Sequence, residues 1–297
     1  MKVIIRALSD QDKDGALWVE AGAMPDNRYL ADVWELFTRK SDGALLGAFV
    51  SRSEAEADGG RLAGIGKITR LYGDHGWLET LRVHPDWQRK GIGAALWQGY
   101  FEEMAKMKLK SVGMYTEAEN VASKALAEKN GLAVRAYFRE YRRPVKLDPA
   151  ASEGSPKCRA ACAAVAPADG EAYLAAYYQS MPPFVVVNRT FYPTGPGLGQ
   201  HLAEAGWLYR DGEGQPLIAG NRFHPQFLLH WPYFKGEPDQ AMNCALNLAA
   251  RQGAPALSCL CRIEDAQQAL NDSPAIKYLN QLGFTEGRAF MTLWREL

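Results

Sequence analysis

Apolar positions at residues 3–7 form a strand-length run, closed by Ser9-Asp10-Gln11-Asp12, which are residues that cap helices. The next apolar stretch, residues 16–23, has helical spacing, and residues 29–39 predict a second helix that ends at the turn Ser41-Asp42-Gly43. Apolar runs at 44–51, 62–70 and 77–83 then predict three strands. A solvated loop at 54–60 separates the first two, and Tyr72-Gly73-Asp74-His75-Gly76 turns the chain between the others. A long helix starts near Gly91. It is followed by a strand at 111–116, a helix at 121–129 stopped by Asn130-Gly131, and a strand at 133–141.

Beyond Pro144 the pattern lapses. Residues 148–156, Asp148-Pro149-Ala150-Ala151-Ser152-Glu153-Gly154-Ser155-Pro156, are small, polar and proline-punctuated, which is linker composition. The expected organisation is a domain at 1–147, a linker at 148–157 and a domain at 158–297. The second half repeats the order of the first, with a strand at 159–165, a helix at 170–179 and a later strand at 227–234. The clearest echo pairs Leu126-Ala127-Glu128-Lys129-Asn130-Gly131-Leu132 with Tyr278-Leu279-Asn280-Gln281-Leu282-Gly283-Phe284, each a helix end closed by Gly before a last strand. This is a duplication at about 150 residues, not a short-period repeat.

Length supports that division, since 297 residues exceed one ordinary core. With 34 basic and 34 acidic residues, the chain lacks the cationic excess that nucleic-acid binding requires. The five cysteines follow no metal or redox spacing, so reduced thiols and no metal site are expected. Arg6 and Asp10 interrupt the first apolar run, which rules out a signal peptide there, and no run approaches about 20 apolar residues, the length of a membrane span. Together these point to a cytoplasmic protein with no membrane partner.

The segment from Trp77 to Trp97 carries the chemistry. A strand runs into Val83-His84-Pro85, then Gln88-Arg89-Lys90-Gly91-Ile92-Gly93, then a helix. Glycines at a helix start let a ligand approach N–H groups that have no intrahelical partner, and Arg89 and Lys90 add positive charge, so a pyrophosphate is the natural occupant. A mononucleotide loop, G-x-x-x-x-G-K-[ST], occurs nowhere, and a dinucleotide fingerprint fails because Leu96 stands where its third Gly or Ala belongs.

The run from Leu81 to Ala94 resembles motif A of the GNAT superfamily of N-acetyltransferases, [Q/R]-x-x-G-x-[G/A], met by Gln88, Gly91 and Gly93. Asn120, Ala122 and Lys129-Asn130-Gly131-Leu132 resemble a later motif, so the likeness spans residues 3–143. It implies an α/β (α+β) fold of two GNAT-like domains, each a mixed, mostly antiparallel sheet flanked by helices and splayed between its fourth and fifth strands. Coenzyme A would lie in the splay. The cofactor-binding set implied is Leu81, Arg82 and Val83 beside the pantetheine arm, Gln88, Arg89, Lys90, Gly91, Ile92, Gly93 and Ala94 round the pyrophosphate, and Asn120 on the arm's far side. Acetyl-CoA would be the acyl donor and a small-molecule amine the acceptor. Glu79, two residues before Leu81, occupies a place where such enzymes carry a carboxylate that takes the amine proton. The Tyr that many members place four residues before the helix-ending Gly is Ala127 here, which leaves Tyr115 or a water to protonate the thiolate.

The second half lacks that loop. Its corresponding helix begins Gly236-Glu237-Pro238-Asp239, and two carboxylates at a helix start repel phosphate. A degenerate second copy is therefore expected. Gly195-Pro196-Gly197-Leu198-Gly199 reads as a plain loop, and His230-Trp231-Pro232-Tyr233-Phe234 as a core strand. Two other functions fit the same residues: a protein N-acetyltransferase, and a non-catalytic acyl-CoA-binding regulator.

Overall fold

The computed structural model describes residues 2–26, 28–51, 60–145, 162–223, 228–264 and 274–297. The expected linker at 148–157 and residues 159–161 of the expected strand at 159–165 lie outside the described residues. So do Cys158 and the greater part of the loop at 54–60. Within the rest of 159–165 only Ala163–Ala164 are strand.

The chain runs β1 (Lys2–Ala7), α1 (Lys13–Ala23), α2 (Leu30–Thr38), β2 (Gly43–Ser51), β3 (Arg61–Arg70), β4 (His75–Val83), α3 (Ile92–Lys106), β5 (Ser111–Glu117), α4 (Val121–Lys129) and β6 (Ala133–Pro144). Then come β7 (Ala163–Ala164), α5 (Pro167–Ala175), β8 (Phe184–Val187), β9 (Thr190–Pro193), α6 (Leu198–Glu204), β10 (Leu208–Arg210) and β11 (Pro216–Gly220). The order closes with β12 (Leu229–Phe234), α7 (Pro238–Gln252), β13 (Ala256–Ile263), α8 (Pro274–Gln281) and β14 (Thr285–Glu296). The fold class is the expected one: mixed α/β, mostly antiparallel strands flanked by helices.

Two compact units divide the chain, and their segments interleave. One holds Met1–Met114, Ala122–Ala133 and Trp294–Leu297; the other holds Tyr115–Val121 and Val134–Leu293. Strands in the first unit follow the order β1-β2-β3-β4-β5, antiparallel except for the β4–β5 pair, which is parallel and spanned by α3. β2 and β3 are buried along nearly their whole length and show no polar alternation, because helices cover both faces. Trp77, Trp97, Tyr100 and Phe37 are fully buried there. Residues from the far end of the chain complete this core. An added Cβ on Gly113 would lie 1.9 Å from the Trp294 ring, so that indole packs directly on the backbone.

Strands in the second unit follow the order β14-β6-β13-β12-β11-β10-β7, with β8 and β9 as a separate hairpin. β12 and β13 are again a parallel pair joined by a helix, α7, over a core that includes Trp231, Leu248, Leu257 and Phe284. The predicted echo appears in the backbone: Gly131 and Gly283, at φ +85° and +79°, turn out of α4 and α8 in the left-handed region.

Candidate functional site

The start of α3 is built by the residues just ahead of it. Trp87 is buried and anchors a single turn at 85–87, the Gln88 amide donates to the Val83 carbonyl (3.1 Å), and Lys90 Nζ donates to the Asp86 carbonyl (2.7 Å). The backbone is left-handed at Arg89 (φ +59°) and at Gly91 (φ +84°), which is the N-cap. The first N–H to bond back into α3 is that of Ala95, to the Gly91 carbonyl at 3.0 Å, so the amides of Ile92, Gly93 and Ala94 precede the ladder. No side chain caps this end and its first turn contains no acid. A Cβ added to Gly91 would meet no protein atom within 4 Å, and one added to Gly93 only Leu126 at 3.4 Å. The result is an open, positively polarised cradle fitted to phosphate oxygens.

β4 leads into this cradle. It pairs with β5 from His75↔Ser111 to Leu78↔Met114 and no further, so from Glu79 on it keeps β3 alone as neighbour within its ladders. Against β3 the register slips, from Ile65↔Arg82 to Lys67↔Glu79, which puts one extra residue on β4 at a bulge. Thr80 stands at that bulge with φ +59°, a region that β-branched residues rarely enter. Glu79 Oε1 accepts from the Thr69 hydroxyl (2.7 Å), opposite the buried Lys67. Behind the sheet the phenol of Tyr100 lies against Gly66. Burial first, and then the charges of Glu79 and Tyr29, raise its pKa, so it stays protonated. The side chain of Arg82 turns away from the splay. It is buried and ion-paired with Glu20, so only its backbone is left to face a donor.

Two residues beside β4, Tyr29 and Glu20, were not singled out by the sequence. The Tyr29 hydroxyl lies 2.8 Å from the Thr80 hydroxyl, and the Tyr29 ring lies under the Arg82 guanidinium at 4.6 Å. Glu20 accepts from the backbone amides of Tyr29 (3.1 Å) and Leu30 (3.0 Å), holding the start of α2. No periodicity marks these positions. The available signal is a carboxylate, Glu20, on the apolar side of α1.

The remaining predicted site residues, Tyr115 and Asn120, fall in the second unit. Tyr115 packs edge-on to Phe290 (5.7 Å) and hydrogen-bonds Arg189, whose guanidinium also lies over Phe290 and donates to Glu140 (3.1 Å). Glu140 is buried and also takes Arg142 and the Ser258 hydroxyl. Burial pushes its carboxyl up, yet the two arginines outweigh this and hold it below its ordinary value. Beside it His230 is 1% exposed, and among the described residues neither ring nitrogen has a hydrogen-bond partner. Burial drives its pKa down to about 3, against the opposing pull of Glu140.

The second unit's counterpart of the cradle is closed in two ways. α7 starts at Pro238 behind Glu237, with Asp239 in its first turn, where Asp239 accepts from Tyr278 (2.9 Å). The approach is also shorter: Ile92 follows the first parallel pair at His75 by seventeen residues, whereas Pro238 follows its equivalent, Leu229, by nine. The Gly195–Gly199 run is not a plain loop, because it opens α6. There the Gly199 amide is taken by Glu171 (3.1 Å) and Tyr178 (3.0 Å), and Gly199 presses on the Gly170 backbone, so the glycines serve close packing of α5 and α6. Among the described residues no group of three or more His, Cys, Asp or Glu is arranged to hold a metal, and no helix is long and apolar enough to cross a membrane.

Comparison with known proteins bears on the family and the fold. Residues 15–132 match the Acetyltransferase (GNAT) family. No curated protein sequence matches the chain. Among solved structures, a GCN5-related N-acetyltransferase from Sphaerobacter thermophilus aligns with TM-score 0.60 at 13% identity, covering 99% of this chain and 95% of that one. A putative acetyltransferase from Pyrococcus horikoshii gives TM-score 0.58 at 14% identity over 99% and 89%. Another, from Thermoplasma acidophilum, gives 0.54 at 13% over 100% of both chains. At these identities the likeness is one of fold, and it extends over the whole chain.

Proposed function

We propose that the chain is an acyl-CoA-dependent N-acyltransferase that moves an acetyl group from acetyl-CoA to the amine of a small molecule, by direct attack in a ternary complex. The observation that carries this reading is the open start of α3, with a left-handed Gly91, no acid in the first turn, and Arg89 and Lys90 beside it. The donor's pyrophosphate would be held by the amides of Ile92, Gly93 and Ala94. The pantetheine arm would lie along the free edge of Leu81 to Val83 by adding backbone hydrogen bonds, as an extra strand does. Holding amine and thioester together supplies most of the acceleration, and Glu79, kept in place by Thr69, takes the proton the amine must lose. The assignment of Tyr115 as proton donor to the thiolate, and of Asn120 to the donor's far side, rests on the sequence alone.

Purified protein should release free coenzyme A from acetyl-CoA when mixed with a panel of small amines, as read by mass spectrometry. Peptides with free N-termini form the second arm. Release with peptides alone would move the acceptor to proteins. Tight binding of acetyl-CoA without release in either arm would leave the regulator reading instead.

A further inference from the structure

Resting on that reading, we propose that Tyr29 is a positioning residue for acyl transfer, one that clamps β4 in the strained bulge and so fixes the Leu81 backbone relative to Glu79. Four contacts close a ring round the bulge. Tyr29 reaches Thr80 through its hydroxyl (2.8 Å), and its ring stacks on Arg82 (4.6 Å). Arg82 pairs with Glu20 in the core, and Glu20 holds the Tyr29 amide (3.1 Å). β4 itself completes the ring from Thr80 to Arg82. Within it sits a β-branched residue at φ +59°, a conformation that persists only when its surroundings enforce it. The strain falls one residue after Glu79 and one before Leu81, where β4 has already parted from β5. An extended backbone at Thr80 would restore the plain register with β3 and turn the following side chains to the opposite face. The clamp therefore decides which way the Leu81 amide points relative to Glu79.

Glycine tolerates a positive φ without a clamp, and that separates positioning from plain support of the fold. Tyr29→Phe removes the hydroxyl and keeps the ring on Arg82. It should lower kcat by up to roughly 100-fold, the loss that displacement by about 1 Å can cause, while Kd for acetyl-CoA, held also by the start of α3, weakens by a much smaller factor. Adding Thr80→Gly should recover most of the lost kcat, because the bulge no longer needs holding. An unchanged kcat in Tyr29→Phe, or losses that simply add in the double variant, would overturn the proposal. If the parent protein transfers no acyl group, the functional reading fails and the clamp is judged by hydrogen exchange in the full-length chain. Amides of residues 79–82 should exchange at least about tenfold faster in Tyr29→Phe and return toward the parent rate with Thr80→Gly. Unaltered exchange would sink the clamp independently of activity.

Discussion

Gly93→Val separates ligand contact from fold at the cradle, since the motif admits Gly or Ala there and nothing larger. Gly93 has an ordinary helical φ, and a Cβ added to it would meet only Leu126 at 3.4 Å, normal van der Waals contact. The folded protein has room for that Cβ, and valine is a better helix former than glycine by roughly a few tenths of a kcal/mol. The melting temperature should thus hold or rise, by roughly 2–4 °C for each kcal/mol in a unit of this size. Binding should move the other way. The branched side chain stands where a phosphate oxygen must approach the amides of the first turn, and a hydrogen bond to a charged group is worth about 1.5–3 kcal/mol. Losing one such bond weakens Kd by roughly 10–100-fold. Calorimetry with coenzyme A and a thermal melt on the same preparation measure both terms. Gly91→Ala is the contrasting case, since φ +84° penalises any side chain by about 1–2 kcal/mol whether or not a ligand binds. If Gly93→Val keeps or raises the melting temperature and binds coenzyme A with parental affinity, no phosphate comes near Gly93 and the cradle has been misread.

Three other outcomes are expected. Coenzyme A should bind with one equivalent per chain, and a stoichiometry near two would show that Glu237 and Asp239 at the start of α7 do not exclude phosphate. Glu79→Gln should cut turnover by roughly 10²–10⁴ with acetyl-CoA affinity unchanged, since the amide still accepts from Thr69 but takes no proton. That loss should shrink as pH rises and more amine arrives neutral; a constant ratio across the pH profile removes Glu79 as base. His230 has a folded pKa near 3, far below its unfolded value of about 6.5, so between these values the unfolded chain binds the proton that the folded one refuses. Stability contributed by neutral His230 is complete above about pH 6.5 and drains as pH falls toward 3. His230→Leu should flatten that acid limb in urea titrations, and an unaltered slope would assign the limb to other groups.

What the sequence made legible was local. Gly91, Gly93 and the charges beside them announced the start of α3, because helix ends are written in cap residues and glycine. Gly131 and Gly283 did the same for two helix stops. The acidic start of α7 was legible in Glu237 and Asp239, though the shortened approach to it was not, since it emerges only when Leu229 and His75 are matched through their parallel pairs. What escaped was everything set by pairing across the chain. The bulge at Thr80 is a property of register with β3, and Tyr29, 51 residues away, has no pattern linking it to Thr80. Gly195–Gly199 misled for a related reason: its glycines answer to Gly170 on another helix, a contact no local reading contains.

Trp294–Leu297 belong with residues that precede Ala133. On the ribosome this order becomes a delay. Roughly 160 residues separate Ala133 from Trp294, and at about 5–20 residues per second their synthesis takes roughly 10–30 s. For that interval Gly113 and the buried Trp77 lack the indole that later covers them. The nascent chain therefore presents the start of α3 well before the indole of Trp294 reaches the β4–β5 pair, and during that wait Trp77 and Gly113 stay uncovered on that side.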